Sequence, residues 1–291
     1  MLALRSEVSN KEDAIKFLQT RGLIPSSKNC EQCGTKMSLS ISKERWRCTK
    51  KTCRKESQIR TGTYLEESRL PFSKFIMFVY AWTKEYTSVK FCKDELALSI
   101  NTVVDYNNCL REVCAYNLLK NPIQIGGQNC TVEIDESLVS KRKYNVGRIK
   151  RQQWVFGGIC RETKECFLYS VPDRSAKSLI QCINHSILPG TTIVSDCWRS
   201  YNGIESHPNH YSHLTVNHRY NFVDPESGAH TNNIEGLWNV AKSKFKKMWG
   251  VHTKMLDSYL CEFMWRKRNQ NKDLFDVIFD DINHFMLRDN E

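Results

Sequence analysis

Hydrophobic and polar positions follow two different periods along this chain, and the change falls near residue 125. Before it the spacing is helical. "SNKEDAIKFLQTRGLIP" predicts a short amphipathic helix, with Ser9 or Asn10 as its cap and Gly22 and Pro25 as its stop. Phe75, Phe78, Val79 and Trp82 recur at three- and four-residue intervals and predict a second helix. In "SINTVVDYNNCLREVC", Ser99 or Asn101 caps a further helix carrying Val103, Val104 and Leu110. A helix, a short turn and a capped helix read as helix-turn-helix-like, with a plain helical connector as the alternative.

"NPIQIGGQN" is Pro/Gly punctuation, and the period then shortens to two. "TVEID", "QQWVFGGICR" and "ECFLYSVP" predict three successive strands. "SAKSLIQCINHSI" is a helix capped near Ser175, "GTTIVSDCW" a fourth strand and "HLTVNH" a fifth. "NNIEGLWNVAKSKFKKMWG" is a helix closed by Gly250, with Ile234, Leu237, Trp238, Ala241, Phe245 and Met248 as its buried stripe. "DLFDVIFDDINHFM" is a final amphipathic helix whose packing partner the pattern does not specify. The expected organisation is mixed α/β: an N-terminal helix and ribbon over 1–60, a helical segment over 61–125, the sheet-containing domain over 126–250, and C-terminal helices over 251–291.

Composition narrows the function classes. No run of about 18 apolar residues is present, so no membrane span is expected. The first residues turn charged too soon for a signal peptide. Thirteen cysteines without a secretion signal favour metal binding or burial over disulfides. The net charge of +11 is uneven: residues 1–120 hold 21 Lys and Arg against 13 Asp and Glu, the remainder 22 against 19. A basic excess at one end favours a polyanionic partner such as DNA.

Two constellations carry chemistry. Cys30 and Cys33 form one hook, Cys48 and Cys53 another, with a short hairpin between them. Four thiolates in two hooks suit a structural, tetrahedral Zn²⁺. Arg45, Arg47, Lys50, Lys51 and Arg54, with Lys43, Lys55 and Arg60 nearby and Trp46 interleaved, read as a phosphate-contacting face. The second constellation is acidic. Asp135 ends or nearly ends the first strand of the sheet, Asp196 ends the fourth, and Glu235 lies in the first turn of the late helix. Converging carboxylates repel one another unless a hard cation neutralises them. Two Mg²⁺ (or Mn²⁺) ions on Asp135, Asp196 and Glu235 would suit in-line phosphoryl transfer. Lys242 lies two turns along the same helix, or about 10 Å by helix rise, where it could hold DNA. Lys141, Arg142 and Lys143 would serve the phosphodiester backbone. Glu136 is an alternative to Asp135, though it points to the other face. Asn232 or Asn233 reads as a helix cap, and His230 as structural.

The segments "EIDES", "KRKYNVGR", "QQWVFGGICRET", "VSDCWRSY", "VNHRYNFVDPESGAHTNNIEGLWNVAKSKFK" and "YLCEFMWRKRN" together resemble the transposases of Merlin-type DNA transposons and their bacterial insertion-sequence relatives. The resemblance implies a ribonuclease H-like core with a DDE triad at Asp135, Asp196 and Glu235, and a following lysine at Lys242. Asn232 is a lesser candidate for the third acid. It further implies binding of terminal inverted repeats and target DNA, cut-and-paste transposition, and a homodimer or higher oligomer on DNA. The location would be nuclear in a eukaryotic host and cytoplasmic in a bacterium. The competing expectations are a captured transposase acting as a non-catalytic DNA-binding regulator, and a structure-specific nuclease on the same core.

Overall fold

The computed structural model describes residues 1–139, 153–217, 223–225, 228–248 and 250–287. They form two compact units, Met1–Asn117 with Asn271–Glu291, and Leu118–Gln270.

The first unit opens with α1 (Leu2–Glu7), which the pattern did not predict, and α2 (Lys11–Thr20). Asn10 is the α2 cap: its side chain accepts from the Asp13 amide at 2.9 Å. A three-stranded antiparallel ribbon follows, β1 (Met37–Ser40), β2 (Arg45–Cys48) and β3 (Glu56–Gln58), with β2 in the middle. Then come α3 (Phe72–Thr83), α4 (Val89–Leu96) and α5 (Ile100–Lys120). Nine of the α3 side chains are buried, which fits a helix that is apolar almost all round. Three residues join α4 to α5: Ala97 in the left-handed region (φ 49), buried Leu98, and Ser99, whose hydroxyl accepts from the Thr102 amide at 3.3 Å. The turn is therefore short and capped, which a helix-turn-helix and a plain helical connector share. The final helix, α9 (Leu274–Leu287), packs into this unit. Phe275 and Phe279 meet Phe17 and Phe75, Phe285 meets Tyr116, and Asp276 pairs with Arg21 at 2.8 Å.

The second unit is a five-stranded sheet with helices on both faces. Its elements are β4 (Ile125–Gly126), β5 (Thr131–Leu138), β6 (Trp154–Cys160), β7 (Cys166–Val171), α6 (Ala176–Ser186), β8 (Ile187–Leu188), β9 (Thr192–Asp196), β10 (Ser212–Val216), α7 (Asn232–Lys247) and α8 (Leu256–Arg268). The sheet order is β10-β9-β5-β6-β7, and β4 and β8 form a separate parallel two-residue ladder. Strands β5, β6 and β7 are an antiparallel meander, while β9 runs parallel to β5 and β10 parallel to β9. This is the ribonuclease H-like order. On one face Val132, Ile134, Phe156 and Phe167 pack with Leu179 and Ile183 of α6. On the other, Val155, Ile159 and Leu168 meet Ile234, Leu237, Trp238, Ala241 and Phe245 of α7 and Leu256 and Leu260 of α8.

One strand departs from expectation. β5 continues three residues past Asp135, pairing to Leu138↔Trp154. The reason is that the charge of the next residue is satisfied. Glu136 is buried on the α6 face but accepts from Arg174 Nε at 3.1 Å and from the Tyr201 hydroxyl at 2.6 Å. Asp135 thus sits within the strand rather than at its tip.

Candidate active site and metal centre

The β5–β9 ladder ends at Glu133↔Val194, and two residues further along each strand come Asp135 and Asp196. Equal steps on adjacent parallel strands place both carboxylates side by side on one face, the face that α7 covers. Asp135 Oδ2 accepts from the indole Nε1 of Trp238 at 2.9 Å. Asp196 Oδ1 accepts from the Trp198 amide at 2.9 Å. Burial, followed by the charges of Glu136 and Asp196, pushes the Asp135 carboxyl up from its usual range to about 7. Burial is the larger cause, and the two neighbouring carboxylates add to it.

Trp238 can reach Asp135 because β6 carries glycine at the facing position. Gly157 pairs with Asp135. A Cβ there would lie 2.5 Å from Leu168 Cδ2 and 3.0 Å from the Trp238 ring. The glycine leaves room for the indole beside the strand.

Glu235 is in the first turn of α7, one turn before Trp238, and it is exposed. Thr231 Oγ1 donates to its Oε1 at 3.4 Å. Among the described residues, two groups of three or more metal-ligating side chains gather their donor atoms within 4.8 Å of one another. Asp135, Asp196 and Glu235 are not one of them. The structure aligns the two aspartates and brings the glutamate to the same face without closing the three together. Lys242 is half-buried two turns further along α7. Lys141, Arg142 and Lys143 lie outside the described residues.

The placement of α7 depends on a residue that no local sequence motif singles out. Glu133, on β5 and fully buried, accepts from the backbone amides of Asn233 at 2.8 Å and Ile234 at 3.0 Å, from Asn233 Nδ2 at 2.7 Å and from Arg161 Nε at 2.7 Å. It therefore caps the α7 N-terminus from another strand, where the helix dipole favours an anion. This corrects the expectation that Asn232 or Asn233 caps the helix: Thr231 occupies the cap position without a side-chain cap bond, Asn232 is exposed, and Asn233 donates to Glu133. His230 sits in the same network. Its Nδ1 is 3.4 Å from Glu133, and its carbonyl accepts from Arg161 Nη2 at 2.6 Å. The one signal available was the period of "TVEID", which aims Glu133 and Asp135 at the same face.

The ribbon cysteines form the first metal-ligating group. The sulfurs of Cys30, Cys33, Cys48 and Cys53 lie within 4.8 Å of one another. Each hook turns through a positive-φ residue directly after its second cysteine, Gly34 (φ 69) and Arg54 (φ 51). The local core is only Cys30, Met37, Trp46 and Cys48, with Cys33, Leu39 and Cys53 packed against it. Four sulfurs at this spacing fit a tetrahedral Zn²⁺, and in a core this small such an ion would supply much of the folding energy. Cys30→Ser is expected to abolish zinc retention and the ribbon's cooperative melting while the rest of the chain stays folded. Elemental analysis and thermal denaturation check it; full zinc with unchanged melting would contradict the role.

The second group, Cys130, Cys160 and Glu162, was not predicted. It lies at the start of β5, with Cys160 Sγ donating to Glu162 Oε2 at 3.2 Å.

The basic face divides on inspection. In β2 the side chains alternate, so Arg45 and Arg47 are exposed while Trp46 and Cys48 are buried. Lys50, Lys51 and Arg54 are exposed too. Glu56 partly offsets the two arginines at 3.4 and 3.7 Å. Two residues read with this face do not belong to it. Trp46 fills the ribbon core. Arg60 is buried, donates to the Leu70 carbonyl at 2.8 Å and stacks 3.9 Å over Phe72.

Among the described residues no helix is long and apolar enough to cross a membrane. An uncharacterized transposase-like protein of Haemophilus influenzae is 29% identical over 107 residues, 36% of this chain and 84% of that protein. Male abnormal protein mab-31 of Caenorhabditis elegans is 26% identical over 213 residues, 64% of this chain; the chain spans 49% of that protein's length. Among solved structures, the HTLV-2 integrase catalytic core domain in complex with magnesium (dimeric form) is similar at a TM-score of 0.33 and 12% identity, over 49% of this chain and 86% of that one. A simian T-cell lymphotropic virus intasome in complex with PP2A regulatory subunit B56 gamma is similar at 0.33 and 14%, over 50% of this chain and 54% of that one. The ISXO2-like transposase domain family matches residues 124–268. That stretch holds the sheet, α6, α7 and α8, and this domain belongs with the DDE transposases and their bacterial insertion-sequence relatives.

Proposed function

We propose that the chain is an active DDE transposase, of the Merlin type that its motifs resemble. In this reading it binds terminal inverted repeats and carries out metal-dependent DNA strand cleavage and strand transfer. The observation that carries the reading is the alignment of Asp135 and Asp196 on adjacent parallel strands beneath a helix that bears Glu235. Oxygen donors of this kind fit Mg²⁺ or Mn²⁺, and Asp135, Asp196 and Glu235 would hold it. Bound there, two such ions supply charge neutralisation and Lewis acidity at the phosphoryl oxygens.

The protein's own contribution is placement. Asp135 is held by Trp238 and Asp196 by the Trp198 amide, so both carboxylates are oriented before substrate arrives. Glu133 sets the α7 N-terminus, and through it the start of the helix on which Glu235 and Lys242 ride. Glu235 is left exposed, able to turn toward the aspartates when their charge is balanced. Lys242 would contact the DNA backbone beside the acids, as would Lys141, Arg142 and Lys143. Arg45, Arg47, Lys50, Lys51 and Arg54 of the ribbon, together with α4 and α5, would recognise the element ends. Pairing two ends calls for a homodimer or higher oligomer on DNA, and the site of action would be the nucleus if the host is eukaryotic.

The test is a cleavage assay on a labelled duplex made from the DNA that flanks the gene. Cuts at a repeat boundary with Mg²⁺ or Mn²⁺, followed by joining to a second duplex, are expected. Cuts without joining would favour a nuclease on the same core. Specific binding without cuts would favour a captured, non-catalytic DNA-binding protein.

A further inference from the structure

Trp198 is a large apolar side chain left 39% exposed two residues after Asp196. It is not loose. Its backbone amide donates to Asp196 Oδ1 at 2.9 Å, and its indole Nε1 donates to the Arg174 carbonyl at 3.3 Å. Its ring lies against the Arg174 guanidinium, 4.1 Å from Cζ to centroid. Arg174 has a second ring on its other contact, Trp154 at 4.6 Å, and is fixed by Glu136 at 3.1 Å. Glu136 in turn takes the Tyr201 hydroxyl at 2.6 Å. The indole is thus packed on a guanidinium that is itself held by Glu136 on the α6 face, at the strand end that carries Asp196.

We propose that the exposed indole of Trp198 seats a nucleobase of the nucleotide whose phosphate lies at Asp135 and Asp196. The proposal rests on the transposase reading for its substrate class, nucleic acid, but adds a base-binding site to it. Three features support it. Leaving an anchored indole in water forfeits hydrophobic stabilisation that a stacked partner would recover. The ring is already immobilised, so stacking costs little further ordering. Its amide is bonded directly to an aspartate of the site, so the indole is carried two residues beyond that carboxylate at the same end of the sheet. Base stacking on an aromatic side chain is tolerant of sequence and contributes on the order of 1–3 kcal/mol per base, or about 5- to 150-fold in affinity. Arg199, the next residue, is also exposed and adds positive charge beside the ring.

The alternative role for Trp198 is to shield the Arg174–Glu136 pair from water. That role predicts a loss of stability on truncation and no dependence on the base. The two are separated with the full chain, Ca²⁺ in place of Mg²⁺, and two forked duplexes. One has a short unpaired arm carrying its bases; the other has the same arm made abasic. Trp198→Ala is expected to weaken binding of the base-bearing fork by about tenfold and to leave the abasic fork unchanged. Trp198→Phe, which keeps a ring, is expected to retain most of the affinity, with melting curves showing both variants folded. Equal losses on both forks, or no loss on either, would overturn the base site. If the forks discriminate as expected yet are never cut with Mg²⁺, the base site stands and the transposase reading fails. If they are cut but Trp198→Ala binds like the unaltered chain, the reading stands and the base site fails. If neither fork is bound, both fail.

Discussion

Asp135→Asn is expected to abolish DNA cleavage, leave DNA binding intact, and make the metal-free protein more stable at pH 8. The first two effects follow from removing a metal-holding oxygen while keeping the side chain's shape. The third follows from linkage. The Asp135 carboxyl sits at about 7 in the fold because it is buried and because the charges of Glu136, its neighbour on the opposite face of the strand, and of Asp196 oppose its ionisation. In the unfolded chain it returns to about 4. Below that lower value it is protonated in both states and contributes nothing adverse. Between the two values the fold keeps a proton that the unfolded chain gives up, so stability falls as pH rises through the window and levels off above 7. An asparagine has no charge to lose, and the variant should gain on the order of a few kcal/mol relative to the unaltered chain at pH 8, with the gap closing toward pH 4. Mg²⁺ should raise the melting temperature of the unaltered chain at pH 8 and do little for Asp135→Asn. Asp196→Asn should match it in losing cleavage and keeping DNA binding. Denaturation across pH, with and without Mg²⁺, measures this directly. Parallel pH profiles for the two proteins would remove the charge-repulsion account of the site, and lost DNA binding in either variant would remove the metal-ligand account.

Glu133→Ala should be the most destabilising single change in the sheet-containing unit. The carboxylate is fully buried and accepts four hydrogen bonds, two of them from α7 backbone amides and one from Arg161. Truncation leaves the α7 amides without their acceptor and a partly buried guanidinium without its counter-ion, which costs about 3–5 kcal/mol. Glu133→Gln keeps the volume but turns an amide N–H toward donors, so it should lose less stability. Both variants should lose cleavage beyond what stability explains, because the start of α7, and with it Glu235, is no longer held to β5. Urea denaturation gives the stability, and cleavage at a temperature where each variant is fully folded isolates the positional effect. Full activity in a folded Glu133→Gln would show that α7 is held well enough without the charge.

The chain's local patterns carried most of the architecture. Two-residue alternation in "TVEID", "ECFLYSVP" and "HLTVNH" and helical spacing in "NNIEGLWNVAKSKFK" correspond to β5, β7, β10 and α7, and Ser175 caps α6 by accepting from the Ser178 amide. Hook spacing alone picked out the four cysteines whose sulfurs cluster. Strand and helix order were also enough to single out Asp135, Asp196 and Glu235 as residues that could share one face.

Other features could not be read because they depend on partners distant in the chain. Glu133 looks like an exposed acid in a strand until α7, a hundred residues later, delivers its amides. Arg60 looks like one more cation in a basic run until Phe72 and the Leu70 carbonyl enclose it. Trp46 and Arg47 are neighbours in sequence, and only the pairing of β2 in the middle of the ribbon sends one inward and the other to solvent. The stack of Trp154, Arg174 and Trp198 joins three separate elements. Periodicity and capping act within a few residues, so the sequence by itself determined which segments became helices and strands and which residue types had chemistry to offer. Burial, charge pairing and register across distant strands are properties of the packed chain. Only the tertiary structure decided which acids are held in place, which cations face outward and which ring stays exposed to solvent.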